Sequence, residues 1–117
     1  MDNYDEYDMR AVQPKKKEIS AGKRVRQMFA NAIEEGKITS SEATQLMDAS
    51  FSKTLRVRFP FLKQVDKSID IKQQLKDAAG KPRYNKSVFT IDGEDYLMTN
   101  DIFDYTVKLV KNYIAEL

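Results

Sequence analysis

Residues 39–62, TSSEATQLMDASFSKTLRVRFPFL, decide how the fold is read. Thr39 is placed to cap a helix with its hydroxyl while Glu42 reaches back to the Thr39 amide, and Ile38 precedes them as a staple against Ala43. Ala43, Leu46 and Met47 then share one apolar face at helical spacing. The chain turns at Asp48-Ala49-Ser50-Phe51, Ser52 offers a second N-cap, and Pro60 ends the segment that Ser52 starts. That outline is a helix-turn-helix whose short second helix carries Lys53, Arg56 and Arg58. Two readings of residues 54–59, TLRVRF, stay open. They continue the helix from Ser52, or they form a strand, because Leu55, Val57 and Phe59 alternate with Arg56 and Arg58 and Phe59 precedes a proline.

Upstream, Ser20 starts a first helix in which Val25, Met28, Phe29, Ala32 and Ile33 form an amphipathic stripe ending before Gly36. The connection Gly36-Lys37-Ile38 is short, so the two helices pack as an angled pair. Residues 1–19 have no sustained apolar period, contain Pro14 and a lysine run, and read as a disordered charged arm. Its two ends oppose each other: Asp2, Asp5, Glu6 and Asp8 stand against Arg10, whereas residues 15–26 hold six basic residues against Glu18.

Downstream, Phe61, Leu62 and Val65 are spaced as one more buried helical turn, and Asp70 to Ala79 is helix-capable before Gly80 and Pro82. Residues 87–98 give a hairpin, SVFTI and EDYLM flanking Asp92-Gly93, the dipeptide that accepts positive φ in a type I′ turn. A two-stranded hairpin does not stand alone, so it leans on helices. The last helix supplies one: Asn100 caps it, Asp101 and Asp104 suit the positive end of its dipole, and Phe103, Val107, Val110, Ile114 and Leu117 line one face, widened by Ile102, Leu109 and Tyr113.

The order helix, helix, helix or strand, hairpin, helix predicts an α+β fold. In it residues 20–117 form one winged-helix-like domain, with helix-turn-helix, two-stranded hairpin and C-terminal helix, behind the arm of residues 1–19. The elements Ser52-Lys53, Phe59-Pro60-Phe61-Leu62-Lys63, Arg83-Tyr84 and Gly93 to Leu97, followed by a C-terminal helix, also resemble a loosely defined set of uncharacterised proteins and terminal modules from bacteria and their phages. The resemblance spans roughly residues 21–117 and implies no particular activity.

Chemistry is bounded by what is missing. The 117 residues include no cysteine and no histidine, which removes thiolate nucleophiles, the usual structural-zinc ligands and the commonest general base. The four glycines are too scattered for a phosphate-binding loop. Asp92, Glu94 and Asp95 form the densest carboxylate set without the spacing of a calcium loop, so no metal, cofactor or catalytic residue is expected. No run approaches the length of a membrane span and no secretory signal opens the chain; the expectation is a cytoplasmic protein without a membrane partner.

The net charge of +2 says little, but its distribution says more. Residues 53–67 hold Lys53, Arg56, Arg58, Lys63 and Lys67 against Asp66, and residues 72–86 hold five basic residues against Asp77, with Tyr84 interleaved. The expected function is therefore non-enzymatic binding of nucleic acid, foremost duplex DNA, through segment 52–67. The expected contacts are Lys15, Lys16, Lys17, Lys23, Arg24, Lys53, Arg56, Arg58, Lys63 and Arg83. The acidic hairpin tip beside a basic body supports an alternative: a phage or mobile-element interaction protein that binds and modulates another protein, such as a nucleic-acid enzyme. The wide apolar face of the last helix, with Val107, Val110, Ile114 and Leu117, is the expected partner surface of a homodimer.

Overall fold

The computed structural model describes residues 19–117, so the arm and its Lys15, Lys16 and Lys17 lie outside the described residues. The chain forms α1 (Ala21–Glu34), α2 (Ser40–Leu46), α3 (Ala49–Ser52) continued by a 3₁₀ turn (Lys53–Leu55), β1 (Leu62–Gln64), α4 (Ile71–Gln74), β2 (Tyr84–Ile91), β3 (Glu94–Thr99) and α5 (Asp104–Ala115). The architecture is α+β, with one antiparallel sheet in the order β1-β3-β2.

The helix starts follow the local chemistry of the chain. Ser20 Oγ accepts from the Lys23 amide at 3.2 Å, and Gly36 leaves α1 at φ +78°, where a side chain would be strained. At α2, the Glu42 carboxylate accepts from the Thr39 amide at 2.8 Å; its bonds to Thr39, hydroxyl first, hold it below the usual carboxylate range. In the hairpin, Asp92 and Gly93 both take positive φ (49° and 83°), as a type I′ turn requires. Its tip does not project. The Asp92 carboxylate accepts from the Ser40 amide at 2.7 Å and so satisfies the first turn of α2 across 52 residues of chain.

The central segment follows neither expected reading in full. Asp48 rather than Ser52 caps α3, its carboxylate accepting from the Phe51 amide at 2.8 Å. Ser52 is fully buried inside the helix instead. Its hydroxyl accepts from the Phe61 amide at 2.9 Å and stands 2.9 Å from the Asp48 carbonyl, to which it donates, so it ties the turn to the chain nine residues ahead. The helix then tightens to 3₁₀ through Leu55 and ends at Arg56 in the left-handed region, φ 63°, so the helical reading holds for residues 54–55 and residues 56–59 are neither helix nor strand. Phe61 and Leu62 enter β1 rather than a helical turn, because β3 offers them an edge: Leu62 pairs with Met98 and Gln64 with Tyr96. The helix-capable stretch 70–79 shortens to α4, where the buried Gln74 side chain accepts from the Asp66 amide and donates to the Asp66 and Ile69 carbonyls.

The core lies between α1, α5 and the sheet. Phe29 is its hub, edge-on to Phe61 (5.8 Å) and Phe89 (5.3 Å), with Val25, Leu46, Ile91, Met98 and Val110 also buried around it. β3 is the middle strand and all of Tyr96 to Thr99 is buried. α5 begins later than its sequence suggests. Asn100 is drawn into the connection, its amide donating to the Arg83 carbonyl, and Thr106 Oγ accepts from the Phe103 amide at 3.2 Å to start the helix. At the far end, Tyr113 donates to Gln45 at 2.9 Å, and burial first, Glu42 second, pushes its hydroxyl up to about 12.

Candidate nucleic-acid interface

The segments that lead into β1 and β2 and out of β3 bring basic and aromatic side chains close to one another. Arg58 lies just before Pro60, and its guanidinium grips Asp101 through Nε (3.1 and 3.2 Å) and Nη2 (2.8 Å) while its amide donates to the same carboxylate at 2.7 Å. Asp101 is buried and Arg58 is mostly exposed, so one carboxylate pins a loop whose guanidinium still faces water. This is a correction to the role of Asp101: it answers Arg58, not the dipole of α5. Asp77 does comparable work in the next loop. It accepts from the Ala79 and Lys81 amides at 2.9 Å each and from Arg83 Nε at 2.9 Å.

Each of these cations also meets a ring. Arg83 stands 4.6 Å from the Phe59 centroid and Arg58 5.8 Å from the same ring, Lys63 lies 5.5 Å from Tyr84, and Arg56 lies 5.7 Å from Tyr105. Hollows open beside them; the two around Phe59 and Arg83 adjoin, and the one at Arg56 is lined by other residues. Phe59, Lys63, Lys76, Arg83 and Tyr84 help line a cleft of about 420 Å³, Arg58 and Arg83 share a smaller one of about 140 Å³, and Arg56, Tyr105 and Lys108 help line a third of about 520 Å³. The result is a band of alternating cations and rings. Lys63 is further fixed by donating to the Gln74 carbonyl at 2.9 Å, and Tyr84 by donating to the Pro60 carbonyl at 2.9 Å.

Of the expected contacts, Arg56, Arg58, Lys63 and Arg83 therefore fall in this band. Arg24 reaches it by pairing with Asp104 at 3.1 Å, beside Tyr105, while Lys23 and Lys53 are exposed on α1 and the 3₁₀ turn. Sequence reasoning missed Phe59, Tyr105 and Lys108 and counted Lys76 only within the charge of residues 72–86. Tyr105 lies off the apolar stripe of its own helix, the one signal that could have marked it for solvent. The acids of the hairpin tip do not converge. Asp92 holds α2, Glu94 accepts from Gln64 at 2.9 Å and Asp95 from Thr90 at 2.7 Å. No group of three ligating side chains occurs among the described residues, and none of their helices is long and apolar enough to cross a membrane.

The expected partner surface on α5 needs correction at one position. Val110 is 1% exposed inside the core, facing α1, so it is closed to a second molecule; Val107 and Ile114 are half-buried against the same core and Leu117 is exposed.

The arginine pair gives a pH signature. Asp101 is held below the ordinary carboxylate value of 3.8, first by the hydrogen bonds from the Arg58 side chain, while Asp77 is lowered first by the Lys81 amide. A depressed folded-state value adds stability that is complete above the ordinary value and is lost as pH falls through the folded one. We expect Arg58→Ala to melt below wild type at pH 6, with the gap closing as pH is lowered through the acid range. Melting curves at matched ionic strength check this. A gap independent of pH would remove the Asp101 pairing as its cause.

Comparison with protein-family models, with curated proteins and with solved structures gives no match for this chain.

Proposed function

We propose that this protein is a non-enzymatic nucleic-acid-binding module acting through segment 52–67 and the band that continues it to Arg83. One observation carries the reading: Arg56, Arg58, Lys63 and Arg83 each stand 4.6–5.8 Å from an aromatic ring and each lines a surface cleft. Alternating cations and rings suit phosphates and bases together. Without a histidine, a cysteine or a gathered carboxylate set among the described residues, the same surface has little with which to carry out hydrolysis or transfer.

The winged-helix-like reading is supported by α1, α2 and α3 preceding the three antiparallel strands in the chain, with the short α4 between β1 and the β2–β3 hairpin. The duplex mode that usually accompanies it seats a recognition helix in the major groove. Here α3 has four residues and its 3₁₀ continuation ends at Arg56, so backbone contacts from loops suit the geometry better than a helix in a groove.

Titration of a labelled oligonucleotide across a salt series tests the proposal. Affinity is expected to fall steeply with salt, and Lys53→Ala with Arg56→Ala to flatten the logarithmic slope by about 0.7–0.9 per lost phosphate contact. Absence of binding to both single and double strands at low salt would overturn it. That outcome would favour the second reading, an interaction protein of phage or mobile-element type, for which the exposed Phe103 and Tyr105 beside Arg56 have the composition of an anchor in a protein interface.

A further inference from the structure

Phe103 and Tyr105, at the start of α5, stack with ring centroids 5.5 Å apart and planes 27° from parallel, yet 44% and 50% of their surfaces stay in water. Rings of this size normally disappear into the core, as Phe29 and Phe61 do here. Arg56 approaches the Tyr105 ring from a backbone with φ 63°, a conformation that costs any residue bearing a Cβ. Beside the ring opens the cleft of about 520 Å³ lined by Arg56, Asp104, Tyr105, Lys108 and Leu109. Its one carboxylate, Asp104, is paired with Arg24 at 3.1 Å, which leaves the cations to set the charge the cleft presents.

We propose that this face is a binding site for unpaired nucleic acid, in which one base extends the Phe103–Tyr105 stack while its phosphates meet Arg56 and Lys108. The proposal rests on the nucleic-acid reading above and narrows it to single strands. A base inside a duplex has both faces covered by its neighbours, whereas an unpaired base offers a free face to an exposed ring and is held with little regard to sequence. The guanidinium of Arg56 is itself a planar surface on which a base can stack, so ring and cation serve the same ligand. Charge complementarity selects a polyanion for this cleft.

The test compares a labelled oligothymidylate with a duplex of the same length at one low salt concentration, using the full chain and its variants Tyr105→Ala, Tyr105→Phe and Phe103→Ala. The replaced side chains are half in water, and matched melting curves confirm that the variants stay folded. The single strand is expected to bind more tightly than the duplex. Tyr105→Ala and Phe103→Ala should each weaken single-strand binding about 5- to 150-fold, the range of one lost base stack, with Tyr105→Phe close to wild type. Tighter binding of the duplex would overturn this proposal and leave the broader nucleic-acid reading standing. Single-strand binding that neither alanine variant weakens would overturn the site, and failure of both nucleic acids to bind would remove both readings.

Discussion

Replacing Phe29 by alanine is expected to lower the unfolding free energy by about 3–5 kcal/mol. Phe29 is 1% exposed and is the ring on which the two halves of the protein meet: Phe61 comes from the entry to β1 and Phe89 from β2, each edge-on to it. Truncation removes the transfer energy of the ring, leaves a cavity that neither neighbour fills without moving, and deletes two edge-to-face contacts worth about 0.5–1.5 kcal/mol each beyond their area. Small domains hold only about 5–15 kcal/mol in total, so the variant should be marginal at physiological temperature. Denaturant titration with an unchanged slope and a much lower midpoint is the expected record. A loss under about 1 kcal/mol would show that the aromatic cluster is not the centre of the core.

Val110→Asp should go further and abolish cooperative folding. A carboxylate at this position would sit among apolar side chains between α1 and α5 with no counter-charge, a penalty of several kcal/mol even after it takes up a proton. Circular dichroism on heating should show no sharp transition. For the same reason Val110 is the wrong residue with which to probe self-association. Leu117→Asp, on an exposed side chain, keeps the fold and interrogates the surface α5 leaves open. Sedimentation showing wild-type monomer at tens of micromolar would discard a dimer through α5, and a wild-type dimer that this variant dissociates would establish one. A folded Val110→Asp protein would contradict the packing described for α5.

The parts of the fold that are legible in the chain are those whose signals are local. Ser20 before an amphipathic stripe, Thr39 with Glu42, and Asp92-Gly93 each specify a turn within a few residues, and each element stands where its signal places it. Ser52 shows why the centre is not legible. Its type suits a helix start, but its hydroxyl is taken by the Phe61 amide nine residues away, a partner that exists only once β1 has been laid against β3. The apolar spacing of residues 61–65 fits a helical turn equally well; the three-residue strand gets its identity from Met98, Leu97 and Tyr96. The basic segment is legible as charge and not as geometry. Counting cations does not reveal that Arg58 is bound to Asp101 or that Arg83 is bound to Asp77, nor that Phe103, assigned by its spacing to an apolar face, remains in water.

The hydrogen bond from Ser40 to Asp92 also bears on how this protein is born. The acceptor for the Ser40 amide, the partner of β1 and one of the rings against Phe29 all come from residues 84–99. At ordinary synthesis rates roughly 3–14 s separate the appearance of Phe29 from that of Met98. Until then Val25, Phe29 and Leu46 lack the later residues, among them Phe89 and Met98, that bury them in the folded protein. The packing of the amino-terminal helices is therefore complete only after the hairpin and α5 have been made.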